Sequence, residues 1–198
     1  MEILLIRHGL PVRIENEDGS PADPPLGEPG AKQATAVARW LTDERIDAIY
    51  SSPLRRAAQT AEPLAKAKGL DVVIEPGVTE IDHDAASYVP LEEIKANDPA
   101  RWRALVQGGL YEGADIDAFQ RVVVGSIDRI IRSHAGERVA VFCHGGVVNA
   151  WTCHVLGLPM ALIFDVYYTS VNRFLAASSG ERNLATLNEI GHLRGTGL

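Results

Sequence analysis

The 198 residues are 46% apolar and 23% charged, ordinary for one soluble globular domain with a substantial core. A formal net charge of −7 argues against nucleic-acid binding, which relies on basic surface, while still allowing a local arginine cluster to hold a small anion. No apolar run nears the ~20 residues of a membrane span, residues 1–7 do not read as a signal peptide, and the two cysteines fit neither a disulfide scaffold nor a CxxC site, so a cytoplasmic protein is expected.

Residues 2–6 form a short run rich in Ile and Leu that stops at Arg7-His8-Gly9, the pattern of a strand buried on both faces. Residues 11–29 are dense in Pro, Gly, Asp and Glu and predict a long loop, a length commonly tied to function. Residues 31–43 are alanine-rich and place Ala34, Val37, Ala38 and Leu41 on one helical face. A second apolar run, 46–50, closes at Ser51-Ser52-Pro53. Residues 55–68 then read as helix, with Pro63 expected to kink or restart it and Gly69 to stop it. The β-branched stretch 71–75 predicts a strand.

From 76 to 113 the pattern is polar and irregular, an expected lid with short helices over 91–97 and 99–106. Asp115 is placed to cap a long helix carrying Phe119, Val122, Val123, Ile127, Ile130 and Ile131. Residues 138–143 read as another buried strand, in which Cys143 is a buried free thiol, ending at His144-Gly145-Gly146. A helix over 147–156 follows, halted at Gly157-Leu158-Pro159, and 171–177 and 184–188 are expected strands. Strands alternating with helices predict an α/β fold: a three-layer α/β/α sandwich around a mainly parallel sheet, one domain over 1–198 with the lid at about 76–113.

Ligands of open α/β sheets gather beyond the carboxyl ends of the strands. Two strands here end in His-Gly, at His8-Gly9 and His144-Gly145, and a third feeds a helix that opens with Arg55 and Arg56. Guanidiniums match phosphate oxygens with paired donors, and imidazole can form a covalent intermediate. A second imidazole can donate to a phosphoryl oxygen, the helix after His144 points amides at the same anion, and Glu80 or Asp82 can protonate a leaving oxygen. The glycines after both histidines are expected to serve unusual torsions and close ligand approach.

At these residues the chain resembles the histidine phosphatase superfamily, also called the phosphoglycerate mutase-like family. Arg7-His8-Gly9 is similar to its RHG signature, Ser51-Ser52-Pro53-Leu54-Arg55-Arg56-Ala57-Ala58-Gln59-Thr60-Ala61 to its second motif, and His144-Gly145-Gly146 to its last histidine motif, with Glu80 at the acid's usual place. Asp23-Pro24-Pro25-Leu26 through Gln33-Ala34 resembles the loop into its first helix. The likeness runs from residue 3 to about 150. It implies a phosphomonoesterase with His8 as phosphorylated nucleophile, Arg7, Arg56 and His144 as phosphate clamp, and Glu80 as proton donor, with no metal or other cofactor.

Pro11 and Ile14 stand where the family commonly has a hydroxyl residue and an asparagine, so Arg13 or Asn16 is the candidate replacement, joined by Gly9, Gly145 and Asp82 as candidate substrate contacts. Asn149 stands where an arginine often follows the last motif. The expected partner is a small-molecule phosphate ester, with no nucleic acid and no membrane, and a homodimer through 164–168 or the tail stays open. A short lid favours hydrolysis over mutase chemistry. A phosphoglycerate-type mutase and a non-catalytic phospholigand-binding protein remain the alternatives. Asp82-His83-Asp84 lacks a second ligand pair for a metal, and His154 and His192 read as structural.

Overall fold

Strand β1 (Glu2–Arg7) organises the molecule because Ile3, Leu4, Leu5 and Ile6 offer nothing for water to solvate. Their alternation sends Ile3 and Leu5 into one core layer and Leu4 and Ile6 into the other. Each such burial stabilises by about 1.5–3 kcal/mol. The computed structural model describes residues 1–106 and 113–197, so 107–112 of the expected lid lie outside the described residues.

β1 pairs in parallel with β6 (Arg138–Cys143), which is flanked by β3 (Ala48–Ser51) and then β4 (Val72–Ile74), also parallel. On its other edge β1 meets β7 (Val171–Ala176) and then β8 (Arg182–Glu189), both antiparallel pairings. The order is β4-β3-β6-β1-β7-β8. Four strands are parallel as expected; the last two are joined by a tight turn in which Ala177 N–H bonds to the Glu181 carbonyl, and so short a link forces antiparallel pairing.

Helices α1 (Glu28–Leu41) and α2 (Arg55–Lys68) cover the Leu4 side through Val37, Ala38, Leu41, Ala61, Leu64 and Ala65. The α1 start tolerates Pro29 because its missing N–H falls in the first turn. α2 runs through Pro63 as one helix and is not restarted there: its buried face spans the proline, and packing on the sheet outweighs one lost backbone bond. Gly69 ends it in the left-handed region, φ 64°.

Short helices α3 (Leu91–Asn97) and α4 (Pro99–Val106) stand where expected. Asp115 caps α5 (Ile116–Ser133), its Oδ1 accepting from Ala118 N–H at 2.8 Å. α5 and α6 (Gly145–Leu156) cover the Ile3 side through Val123, Ile127, Ile130, Val147, Val148 and Trp151. Val122, read as a core position, faces solvent because it sits one step off that stripe. α6 begins at Gly145, earlier than expected, with His144 as its N-cap residue.

Two elements were invisible in the sequence. β2 (Ile14–Glu15) pairs with β5 (Ser87–Tyr88), tying the first loop to the lid, and two-residue strands leave no alternation to read. Cys143 and Cys153 are both free and buried. Among the described residues no helix is long and apolar enough to cross a membrane.

Candidate active site

The register sets Arg7 opposite Cys143 and Ser51 opposite Phe142, so His8, His144 and Ser52 stand side by side where three adjacent strands end. Backbone bonds extend that ladder by one rung: His8 N–H to the Cys143 carbonyl at 3.0 Å, Ser52 N–H to the Phe142 carbonyl at 2.9 Å.

His8 is 2% exposed. Its Nδ1 lies 2.8 Å from the Gly9 carbonyl, which can only accept, so Nδ1 carries the proton and Nε2 the lone pair. Arg56 Nε–H donates to that Nε2 at 3.3 Å. Burial, and then the charges of Arg56 and Arg7, hold the His8 pKa well below the ordinary 6.5. The ring is therefore neutral, with its unprotonated nitrogen held beside a guanidinium.

The His144 ring is 5.1 Å from it, centroid to centroid. Ser52 Oγ accepts from Leu54 N–H at 3.3 Å and pairs with His144 Nε2 at 2.8 Å. With the hydroxyl hydrogen directed to Nε2, the proton of the neutral ring sits on Nδ1, a buried atom with no hydrogen-bond partner among the described residues. Burial, then Arg56, His8 and Arg7, lowers this pKa too. Nδ1–H is thus a donor awaiting an acceptor such as a phosphoryl oxygen.

Both candidate clamp arginines are buried here. Arg56, in the first turn of α2, has no hydrogen bond at Nη1 among the described residues, and Asp23 Oδ1 stands 3.9 Å away. Asp23 Oδ1 also accepts from Arg55 N–H at 2.9 Å, capping α2 from the loop. The Arg56 guanidinium lies 4.8 Å from the Tyr88 ring centroid, and that of Arg7 only 3.8 Å from Tyr168. Arg7 Nη1 also donates to the Val166 carbonyl.

Glu80 reaches the start of α6, where its Oε2 accepts from Gly146 N–H at 3.1 Å and its Oε1 from Ile81 N–H at 3.0 Å. One helix amide expected to face the anion is therefore engaged by Glu80 instead. Burial, then the neighbouring charge of Asp82, raises the Glu80 pKa despite these donors and Arg56. Asp82 itself is exposed and bears on the site through that charge.

The remaining candidates are engaged elsewhere. Arg13 is half-exposed and pairs with Glu15 and with Glu93 of α3. Asn16 closes a turn by donating to the Ser20 and Pro21 carbonyls at 3.0 and 3.1 Å. Neither Gly9 nor Gly145 has positive φ, against the torsional role expected of them. A Cβ on Gly9 would stand 2.6 Å from the Gly30 carbonyl oxygen, so its smallness serves a backbone contact with α1. At Gly145 it would meet Arg7 Nε at 3.9 Å, an ordinary contact. Asn149 braces the chain after α6, bonding Gly145, Ile163 and Phe164 backbone groups.

Gln33 and Thr60 lie within the motifs above, but only the fold shows what they bond. Thr60 takes Gly9 N–H at 3.0 Å and donates to the Arg56 carbonyl at 2.6 Å, and Gln33 Oε1 takes Leu10 N–H at 2.9 Å. Thr60 follows Arg56 at i+4, so helical periodicity carried a signal for it. Tyr168 and Tyr88 come from loop and lid with no local pattern. Among the described residues no group of three or more His, Cys, Asp or Glu side chains is arranged to hold a metal.

The sequence profile described as Histidine phosphatase superfamily (branch 1) matches residues 3–190, well beyond the motifs. Phosphoserine phosphatase 1 of Hydrogenobacter thermophilus is 34% identical over 143 residues, 70% of this chain and 68% of that one. Phosphoglycerate mutase-like protein 4 of Arabidopsis thaliana is 29% identical, covering 99% of this chain and 88% of its own. In fold, Bacillus stearothermophilus YhfR superposes with a TM-score of 0.79 at 23% identity, covering 98% of this chain and 99% of that one. The chain belongs to the histidine phosphatase superfamily, and hydrolysis of small phosphomonoesters is the chemistry consistent with that membership.

Proposed function

We propose that the chain hydrolyses a small phosphomonoester in two steps through a phosphohistidine on His8. In the first, Nε2 attacks phosphorus in line as the ester P–O bond breaks, and Glu80 gives its proton to the departing alkoxide. Arg7, Arg56 and His144 Nδ1–H meet the charge that spreads over the phosphoryl oxygens. In the second, the Glu80 carboxylate takes a proton from water, whose oxygen attacks phosphorus and releases the imidazole. Glu80 is then protonated again and inorganic phosphate leaves.

The observation that carries this reading is the proton placement on His8. A carbonyl fixes the proton on Nδ1, and Nε2 points its lone pair at a buried guanidinium. The cations that a phosphoryl group needs come from side chains, so the reaction is read as independent of metal. On this reading residues 76–113 act as a lid, supported by Glu80 and Tyr88 approaching the α6 start and Arg56. The substrate class follows the phosphoserine phosphatase relative: a small, soluble phosphorylated metabolite. Two buried free thiols support a cytoplasmic setting.

With 4-nitrophenyl phosphate as substrate, His8→Ala is expected to lose at least ~10⁴-fold in turnover. Wild-type protein quenched in base is expected to carry stable bound phosphate, and chelator to leave its rate unchanged. Full activity in His8→Ala, or loss with chelator, overturns the proposal. Isomerised phosphoglycerate without released phosphate marks a mutase instead, and ligand-dependent melting without turnover marks a binding protein.

A further inference from the structure

We propose that His192, acting through Thr169, is a positioning residue that holds the backbone of Arg7 and His8 in their reactive aim. The inference rests on His8 being the nucleophile and adds a device from the C-terminal segment, remote in sequence from every motif.

Thr169 is fully buried and has φ 55°, a left-handed conformation that is an outlier for a β-branched residue. Its N–H is shared between the carbonyls of Arg7 at 3.0 Å and His8 at 3.3 Å. Its hydroxyl donates to the Tyr168 carbonyl at 2.8 Å and lies 3.0 Å from His192 Nε2. The single hydroxyl hydrogen being engaged, Nε2–H of His192 is the donor in that pair. The other ring nitrogen, Nδ1, is buried and has no hydrogen-bond partner among the described residues.

His192 sits on a short 3₁₀ helix, Gly191–Leu193, and stacks on Trp40 of α1 with centroids 5.0 Å apart. Burial holds its pKa down to about 4, which keeps the ring neutral under ordinary conditions. The ring is thus fixed by a stack on one side and a hydroxyl on the other.

A second strained residue grips the same turn. Asn188, φ 54°, is the other non-glycine with positive φ among the described residues. Its Oδ1 accepts from Tyr167 N–H at 3.0 Å and its Nδ2 donates to the Asp165 carbonyl at 2.6 Å. The turn so held presents the Tyr168 ring and the Val166 carbonyl to Arg7. Among the described residues, both non-glycine positions with positive φ therefore hold the turn behind His8. Without the His192 donor, Thr169 is free to relax toward negative φ and swing its N–H away from both carbonyls.

The test uses the full chain and 4-nitrophenyl phosphate. His192→Phe keeps the stack and removes the donor; His192→Gln restores a donor. His192→Phe is expected to lower kcat and the rate of His8 phosphorylation ~10–100-fold, with KM changed less than about threefold. His192→Gln is expected to recover most of that loss. In the His192→Phe background, Thr169→Gly is expected to restore kcat, because glycine holds positive φ unaided. Should His192→Phe not fold, Thr169→Val removes the hydroxyl at constant volume and is expected to show the same kcat loss. Wild-type kcat in His192→Phe, an equal loss in the Phe and Gln variants, or a loss that merely follows Tm overturns the inference. Failure of the parent reading is seen separately, as absence of phosphate on His8 in the wild type, and removes the inference with it.

Discussion

The two ends of β1 show what arginine does with close and with distant carboxylates. At the Glu2 end, Arg173 bonds Glu44, Glu2 and Glu189, and Arg138 shares Glu2 and Glu44. The hydrogen bond from Arg173 lowers the Glu44 pKa, so its charge is settled. At the His8 end, Arg56 meets Asp23 only at 3.9 Å, and Glu80, which feels the Arg56 charge, is pushed by burial the other way, toward holding its proton. The same residue types thus form a tight clasp at one end and a looser, more buried pairing at the other.

Three experiments can break or sharpen that contrast. The largest expected effect is at Glu80: Glu80→Gln is expected to lose ~10²–10⁴-fold in kcat. In the wild type the protonated form is lost as pH climbs through a raised pKa, so the alkaline decline in rate should vanish in the variant. An unaltered pH–rate profile would remove Glu80 from the proton-donor role. Next comes a matched pair. Arg173→Gln removes three ion pairs, leaving Glu2 and Glu44 to Arg138 alone and taking the arginine from Glu189, and is expected to cost about 1–3 kcal/mol in urea unfolding while leaving kcat per folded molecule unchanged. Arg56→Gln is expected to cost ~10²–10³-fold in kcat with Tm held or raised. If Arg56→Gln unfolds the protein as Arg173→Gln does, the contrast is wrong.

The smallest effect is the pH dependence of stability. The folded pKa values of His8 and His144 lie below their unfolded value of 6.5, so below that pH the unfolded chain binds the extra protons. Stability from each ring is complete above about 6.5 and declines by up to ~1.4 kcal/mol per pH unit beneath it. Urea titrations from about pH 7 down to about pH 5 should show this slope. Added inorganic phosphate should flatten it, because a bound anion favours protonated imidazole.

Much of this was legible in the chain. Buried strands announce themselves as unbroken Ile, Leu and Val runs, and a residue directly after such a run must lie on the rim, which is how His8 and His144 could be placed, while Arg56 follows from the helix that opens after the third run. The misreadings have physical causes. Pro63 was judged from local propensity, whereas the packed face of α2 decides its continuity. Gly9 was read for torsion, whereas the crowding comes from Gly30, far along the chain. Arg13 carries a charge suited to an anion, and only folding shows Glu15 and Glu93 occupying it. Tyr168, Thr169 and His192 take their importance from a tail with no motif, so sequence order could not reveal what stands behind the nucleophile.

Cys143 immediately precedes His144, and burial drives its thiol far up from the thiolate range. Peroxide or an alkylating reagent therefore finds nothing to attack while the sheet stays closed. Loss of the Cys143 thiol, followed apart from that of Cys153, becomes a clock for opening: its rate reports how often β6 leaves the core. Inactivation by such reagents would measure that breathing and leave the chemistry at His8 out of account.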